Sequence, residues 1–551
     1  MSTLASHCVC RRRISSTPSV PDVDRLLMQR TDSLQCVPLT GLLRRRAQLA
    51  RAWFESLVKS LVKSTPTSSS QQLQWTDAAP ARVDVAIVGG GFSGLVALVH
   101  LCRAIPSGTF AIIECHPLHF PGTAYGSCDS EHLLNVPAVR MGPIPEDPAS
   151  FHRWLETQTP GKFRADAFVP RALFGAYLTE FVADEVARSG AHVSFVRAAV
   201  IDMHDAQSHV NLTLDCACDA ADAPARPQPM AARCVVIAPG LPASPAPWAD
   251  HVHGVPAGAL VPDPWKAGAL LGIPPDAGIM LLGSGLTAVD IAEGLRRLGH
   301  RGVIRMVSRN GRLPLPHADH GEPPMLATRE QFAGSPAKVL SVLRRAARQR
   351  IAAGLGWQGA IDAIRPHIPA IWKSWSTAER RHFIRRARAL WEIHRHRVPV
   401  QVLADITAQC AAGTLIIERG ELVAVHPATS GTVAASVRTA EGATHVHTVA
   451  RVINCTGPSM NLRDTRHPLL ASVQRNGLAC TDDLGLGLRS DDECRLVGTN
   501  GVANPRIVIA GALRRGDMWE ATAVPDLRVN AARAAATLVA LLADQHSKAN
   551  I

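Results

Sequence analysis

One pattern constrains this chain more than any other: twice, a short apolar run ends in glycines and passes directly into a helical stretch. The first copy is Val83–Val88 (VDVAIV), then Gly89-Gly90-Gly91-Phe92-Ser93-Gly94, then the apolar stretch Leu95–Leu101. The second is Gly278–Leu282 (GIMLL), then Gly283-Ser284-Gly285-Leu286-Thr287-Ala288, with the helical pattern running to Leu298. Each copy is followed by another strand-like run, Phe110–Glu114 in the first and Val303–Ser308 in the second. Strand, tight turn, helix and strand in this order form the βαβ unit of a doubly wound parallel sheet. The glycines at 89 and 283 make the turn, and those at 91 and 285 let backbone amides approach a pyrophosphate. A small residue at 94 or 288 lets the helix pack closely on the sheet.

The residue that ends the second strand distinguishes the two units. Glu114 lies 25 residues beyond Gly89, where a carboxylate accepts hydrogen bonds from ribose hydroxyls. The equivalent place in the second unit holds Ser308, with Arg309 next. A carboxylate there would repel a 2′-phosphate, whereas a hydroxyl and a guanidinium bind one. The first unit therefore predicts an FAD site and the second an NAD(P)H site that leans to NADPH.

Further strand-to-glycine runs fit the same architecture: Cys234–Gly240 (CVVIAPG), Arg451–Gly457 (RVINCTG) and Arg506–Gly511 (RIVIAG), the last followed by a closing helix through Arg528–Leu542. The expected fold is α/β, with two Rossmann-like dinucleotide-binding domains, the FAD domain being interrupted by the NAD(P) domain. The expected boundaries are an N-terminal extension over 1–80, the FAD domain over 81–245 and 458–551, and the NAD(P) domain over 246–457. Strand signals vanish between His317 and Arg397, which predicts a helical insertion over 318–398, with helices near Ala337–Leu355 and Thr377–His394. Strands return at Gly413–Glu418, Ala434–Arg438 and Arg451–Asn454.

Composition excludes some classes. No apolar run reaches the roughly 18–20 residues of a membrane span, so stable membrane insertion is not expected. Residues 1–80 hold 11 Lys/Arg and 5 Asp/Glu, half of the chain's net charge of +12. The remainder is too mildly basic to indicate nucleic acid, and the arginine run at 380–388 reads as a solvated helix face. Leu42–Lys63 has the pattern of a basic amphipathic helix within an extension expected to be disordered. The 13 cysteines include no C-x-x-C pair, which reads as reduced thiols in a cytoplasmic protein. His394-Arg395-His396 lacks neighbouring ligands in a suitable spacing, so no metal site is expected.

From residue 83 onward the chain resembles the FAD/NAD(P)-binding monooxygenases of the FAD-dependent urate hydroxylase and L-aspartate N-monooxygenase type. The stretches that carry the resemblance are GGGFSG, Gly122–Gly126 (GTAYG) running to Glu131–Pro137 (EHLLNVP), and Val169–Leu178 (VPRALFGAYL). GSGLTAVD with SRNGRLP, Trp391–Arg397 (WEIHRHR) and Gly511–Arg528 (GALRRGDMWEATAVPDLR) follow in order. Where the family often reads glycine-arginine-glycine, this chain has Phe120-Pro121-Gly122, so an arginine contact to an FAD phosphate is missing there. The resemblance implies a monooxygenase that uses FAD, NAD(P)H and O₂ on a small anionic substrate. The favoured reaction is urate converted to 5-hydroxyisourate, with L-aspartate N-oxygenated towards nitrosuccinate as the alternative. A reductase that hands electrons to a protein partner is the reading of another class. Site residues implied by the matched stretches are Asn135, Arg140, Arg171, Arg514, Trp519, Glu520 and Arg528, with Gly511 beside the cofactor. Trp519 would stack on a purine or on the flavin edge, and Glu520 would orient an arginine or accept a proton.

Overall fold

The strand-like runs assemble into two sheets. The computed structural model describes residues 73–116, 120–126, 129, 131–216, 226–248, 252, 254–266, 268–318 and 332–549. The stretch Leu42–Lys63 lies outside the described residues. Strands β1 (Trp75–Thr76), β2 (Arg82–Val88), β3 (Thr109–Glu114), β4 (His192–Arg197), β5 (Ala199–Asp205), β6 (Val210–Asp215) and β7 (Pro227–Ile237) come first. Then follow β8 (Leu260–Val261), β9 (Ile279–Leu282), β10 (Ile304–Ser308), β11 (Leu415–Pro427), β12 (Val433–Thr439), β13 (Thr444–Val449) and β14 (Arg451–Asn454). Strands β15 (Arg495–Val497) and β16 (Ala503–Ile509) come last.

The first sheet runs β1-β4-β3-β2-β7-β16-β15, with β5 and β6 as an antiparallel extension of β7. The second runs β13-β12-β11-β10-β9-β14-β8. Strands β4, β3, β2, β7 and β16 are mutually parallel, as are β11, β10, β9, β14 and β8. In each sheet the strand that leads into the glycines has its sequence successor on one side and a much later strand on the other. Thus β2 lies between β3 and β7, and β9 between β10 and β14, which makes both glycine turns topological switch points. The chain leaves the first sheet after β7 and re-enters it only at β15 and β16.

Helices α1 (Phe92–Ala104), α2 (Ser150–Gln158), α3 (Arg171–Ser189) and α4 (Leu286–Arg297) precede the strand-poor segment. That segment folds as α5 (Pro336–Ala352), α6 (Gln358–Ile364), α7 (Ile368–Ser374), α8 (Thr377–Arg386) and α9 (Arg388–Arg395), and α10 (Val400–Ala411) follows it. The closing helices are α11 (Pro468–Arg475), α12 (Arg515–Met518) and α13 (Val524–Ala549). The continuous helix expected over Thr377–His394 is broken at Ala387, whose φ of −118° leaves the helical range. A capping box of Ser376 and Glu379 starts α8. One face of the first sheet packs on α1, α3 and α13 through Leu95, Leu98, Phe174 and Leu538. The other face packs on the β5–β6 hairpin and α11 through Met203, Leu212 and Leu470. No helix among the described residues is long and apolar enough to cross a membrane.

Burial leaves an acid-sensitive signature. The imidazoles of His100, His132, His300, His447 and His467 are pushed below their ordinary value, burial being the largest cause, and that of His396 is pushed down to about 4. These rings are neutral in the folded chain but take up protons near pH 6.5 once unfolded, so acid favours the unfolded state. The resulting loss of stability is absent above pH 6.5 and sets in as the pH falls below it. Melting temperature, followed by differential scanning fluorimetry, is expected to fall steadily between pH 7.5 and 5.5. A flat profile would contradict the burial of these rings.

Candidate active site

At the end of β2, Gly89 adopts φ +110°, and a Cβ there would lie 2.2 Å from the Ala238 carbonyl oxygen of the strand alongside. Only glycine turns the chain this tightly beside β7. The turn delivers α1 with its N-terminus at Gly91, where no side chain caps the helix and no acidic residue sits in the first turn. Unpaired amides and the positive end of the helix dipole are thus free for an anion. A Cβ on Gly91 would touch only the Cα of Gly122, at 3.8 Å, so backbone can approach a ligand closely there. Glu114, at the end of β3, accepts a hydrogen bond from the Gly90 amide (2.9 Å) and one from the His116 amide (3.1 Å). Phe92 is buried beneath the turn, and Ser93 faces Gly511, where an added Cβ would lie 2.7 Å from the Ser93 Oγ. An uncapped helix start, a cradle without side chains and a carboxylate at the next strand end fit a pyrophosphate and its ribose.

The second unit repeats this construction. Gly283 has φ +115°, and its Cβ would lie 2.5 Å from the Cys455 carbonyl oxygen, beyond the end of β14. Helix α4 starts at Gly285, again without a side-chain cap or an acid in the first turn. Nothing lies within 4 Å of a Cβ built on Gly285. Leu286 and Thr287 form the first turn of α4, and Ala288 is fully buried against the sheet. Ser308 is tied into the turn: its Oγ is 2.7 Å from the Ser284 Oγ and accepts from the Gly311 amide at 3.1 Å. Arg309 is exposed at the strand end. Beside it stands Arg419, missed from the sequence, whose Cα is the register partner of Ser308 across the β10–β11 pair. The signal was the strand at Gly413–Glu418, whose next residue must reach the same edge.

A cleft of about 590 Å³ brings distant parts of the chain together. One wall is Tyr125 and Leu134–Pro137, with Arg140 and Arg171; another is Thr522–Val524; the third, from the strand-poor segment, carries Arg365, Arg395, His396 and Arg397. Arg171 is paired with Asp290 of α4 at 2.9 Å and donates through Nε to the Leu133 carbonyl (3.0 Å). Arg397 is paired with Asp362 at 2.5 Å, and Arg365 with Asp526 at 3.2 Å. Arg395 faces Glu520 at 3.0 Å. Arg140 is exposed, with no carboxylate partner among the described residues. Guanidinium groups therefore dominate the cleft surface, while most of their carboxylate partners stand behind it.

Residues 86–241 match the family model described as FAD-NAD(P)-binding. No curated protein matches the chain. Among solved structures, the ornithine N-hydroxylase of Kutzneria sp. 744 superposes with a TM-score of 0.57 at 16% identity, covering 83% of this chain and 99% of that one. The reduced ornithine hydroxylase of Pseudomonas aeruginosa gives 0.55 at 16%, covering 84% and 99%. L-lysine 6-monooxygenase of Pseudomonas syringae gives 0.53 at 15%, covering 83% and 99%. This is the fold of the FAD/NAD(P)-binding flavoproteins. The family model describes FAD-NAD(P)-binding proteins, and the two glycine turns of this chain have the geometry to hold two dinucleotides.

The residues expected at the site separate into two groups. Asn135, Arg140 and Arg171 line the cleft. Arg514, Trp519, Glu520 and Arg528 do not. Arg514 is buried and donates to the Ser490 Oγ and the Asp491 carbonyl, both at 2.8 Å. Arg528 donates to the carbonyls of Arg140 (3.2 Å) and Gly142 (2.9 Å), bracing the loop that carries Arg140. The stacking expected of Trp519 is corrected: its ring lies on Trp372 (centroids 4.7 Å, 26°) and edge-on to Phe383 (5.4 Å). Its backbone has φ +59°, a conformation a bulky residue keeps only where packing enforces it. The surrounding apolar core of the strand-poor segment, with Leu343, Ile371 and Trp391, supplies that packing. Trp519 is thus a fastener between this segment and the chain's end.

Glu520 lies next to that fastener. Its Oε1 accepts from the Trp391 indole at 2.8 Å and its Oε2 faces Arg395, so it holds an arginine, one of the two roles expected of it. Burial alone would push this carboxyl up, but Arg395, His396 and the indole hold it below the usual carboxylate range. A Trp519→Ala variant is expected to lose about 3–5 kcal/mol of stability, the usual cost of an aromatic core truncation. Trp519→Phe should recover most of that and keep the steady-state rate. Denaturant melts alongside NADPH oxidation check both, and a rate loss in Trp519→Phe without a stability loss would restore a direct role.

Proposed function

We propose that this flavoprotein is an FAD-dependent, NADPH-consuming monooxygenase that hydroxylates the amine nitrogen of a small carboxylate-bearing substrate. The observation that carries this reading is the guanidinium-lined cleft, walled by residues that follow the FAD turn and by the strand-poor segment. The solved structures it resembles include hydroxylases of ornithine and a monooxygenase of lysine, which supports an amine as the reacting group. The overall reaction balances as amine, O₂, NADPH and one proton giving hydroxylamine, NADP⁺ and water. The bound flavin supplies the activation of O₂. The chain's own residues bind, orient and exclude water. Arginines around an amino group also disfavour its ammonium form, which leaves the nitrogen lone pair that the reaction needs.

L-Aspartate, one of the two substrates implied by the sequence resemblance, meets these conditions. Urate is the second reading. The Phe168–His317 ring pair (4.5 Å between centroids, tilted by 38°), which lines the cleft, offers an aromatic contact to a purine anion. The order suggested from the sequence is reversed here because Trp519, the residue expected to stack on a purine, is used in packing. NADPH oxidation and O₂ uptake by the FAD-loaded protein, with L-aspartate or urate added separately and products identified by mass spectrometry, test both. Aspartate-stimulated uptake with an N-oxygenated product is expected. Uptake with urate alone would select the second reading. NADPH-dependent electron transfer without substrate-stimulated oxygen uptake would sink both and favour a reductase.

A further inference from the structure

Two buried arginines in the cleft hold more donors than the chain satisfies. The side chains of Arg395 and Arg397 are 6% and 4% exposed. Neither Nε nor Nη2 of Arg395 makes a hydrogen bond, although Glu520 and Asp526 lie 3.0 and 3.6 Å away. Arg397 uses Nη2 on Asp362, and its Nε and Nη1 have no partner. Buried donors of a charged group are seldom left unmet in a folded protein, and those that are call for a ligand, an ion or water. Both residues line the same cleft, and His396 between them is kept neutral by burial, so it adds no competing charge.

The cofactor phosphates are already provided for. The helix starts at Gly91 and Gly285 are built for them, and neither residue is part of the cleft lining. The anion that Arg395 and Arg397 await is therefore a different one.

Resting on the monooxygenase reading above, we infer that Arg395 and Arg397 form the seat for a substrate carboxylate. Planar forks match the two oxygens of a carboxylate, and their burial makes the interaction strong. Glu520, outside the cleft lining, holds Arg395, and Asp362, at the cleft wall, holds one end of Arg397. The seat lies on the strand-poor segment, which shares the cleft lining with Leu134–Pro137 and Thr522–Val524. A substrate anchored there extends its other end across the cleft towards the flavin side. This assigns a function to the WEIHRHR stretch, whose two histidines flank one of the seat arginines.

Binding is best read apart from turnover. Succinate carries carboxylates but no amine and cannot be N-oxygenated, so it reports the seat alone. Isothermal titration of the full-length, FAD-loaded protein with succinate should show binding. The double variant Arg397→Gln/Asp362→Asn, which replaces an ion pair by a neutral one, should weaken it roughly tenfold or more. Flavin content, melting temperature and affinity for NADP⁺ should stay at wild-type values; a matching loss of NADP⁺ affinity would instead assign these arginines to the coenzyme. Arg395→Lys, which keeps the charge but loses the fork, should show an intermediate loss, and serves if the double variant folds poorly. Unchanged succinate affinity in a folded variant, or no succinate binding by the wild type, overturns the seat. Succinate binding that depends on Arg397, in a protein that oxygenates no amine, keeps the seat and refutes the monooxygenase. An unchanged KM for L-aspartate in the variant does the reverse.

Discussion

A Gly285→Ala chain is expected to fold, to carry FAD, and to be almost unable to accept hydride from NADPH. The argument is steric and local. A Cβ at 285 meets nothing within 4 Å, so the protein itself has no reason to resist the methyl group. The space it enters lies at the uncapped start of α4, where amides must come close to a pyrophosphate. Losing two charge-assisted hydrogen bonds of ~1.5 kcal/mol each would cost on the order of 100-fold in kcat/KM for NADPH. Gly91→Ala is the mirror experiment: its methyl group makes only an ordinary contact with Gly122, and the chain should fold but lose FAD during purification. Flavin absorbance, anaerobic reduction by stopped flow and a thermal melt separate the two outcomes. Gly89→Ala and Gly283→Ala are different, because their methyl groups would strike the backbone at 2.2 and 2.5 Å, so loss of the fold is expected. A Gly285→Ala enzyme reduced at the wild-type rate would remove NAD(P)H from the second turn.

Those glycines were legible in the sequence because what they do is dictated by a few consecutive residues. The same holds for β2, β3, β9 and β10, whose apolar runs directly flank the turns. Legibility failed where an element depends on partners far along the chain. Strand β13 (THVHTV) is mostly exposed on an antiparallel edge, so it has no apolar run to announce it. Helices α6 and α7 are seven residues each, under two turns, too short to display a helical period. Asn135, Arg140 and Arg171, implied by the resemblance, come together in the lining of the cleft. The resemblance implied a stacking role for Trp519, yet Trp372, 147 positions earlier, covers its ring. Arg395 and Arg397 were passed over. Among the many arginines of a helical segment, only the folded structure singles out these two, buried at the cleft with part of their donors unmet.

Coenzyme choice is the other large expected effect. Ser308 was expected to share a 2′-phosphate with Arg309, but its hydroxyl is occupied within the turn by Ser284 and the Gly311 amide. The groups that remain to meet a phosphate at this strand end are then two exposed guanidiniums, Arg309 and Arg419, the latter set beside Ser308 by strand register. Arg419 donates through Nε to the Arg309 carbonyl at 3.4 Å, which keeps both side chains at one edge. Each charge-assisted contact to a phosphate contributes ~1.5–3 kcal/mol, and exposure to water places these two at the low end. Arg309→Ala and Arg419→Ala should each raise KM for NADPH about tenfold, and the double variant about 100-fold. KM for NADH should hardly move, because no 2′-phosphate is there to lose. The preference therefore swings from NADPH to NADH without loss of kcat, and higher ionic strength shrinks the difference in the wild type alone. Equal losses with both coenzymes would instead make the arginines part of the fold, and no loss with either would move the 2′-phosphate away from the end of β10.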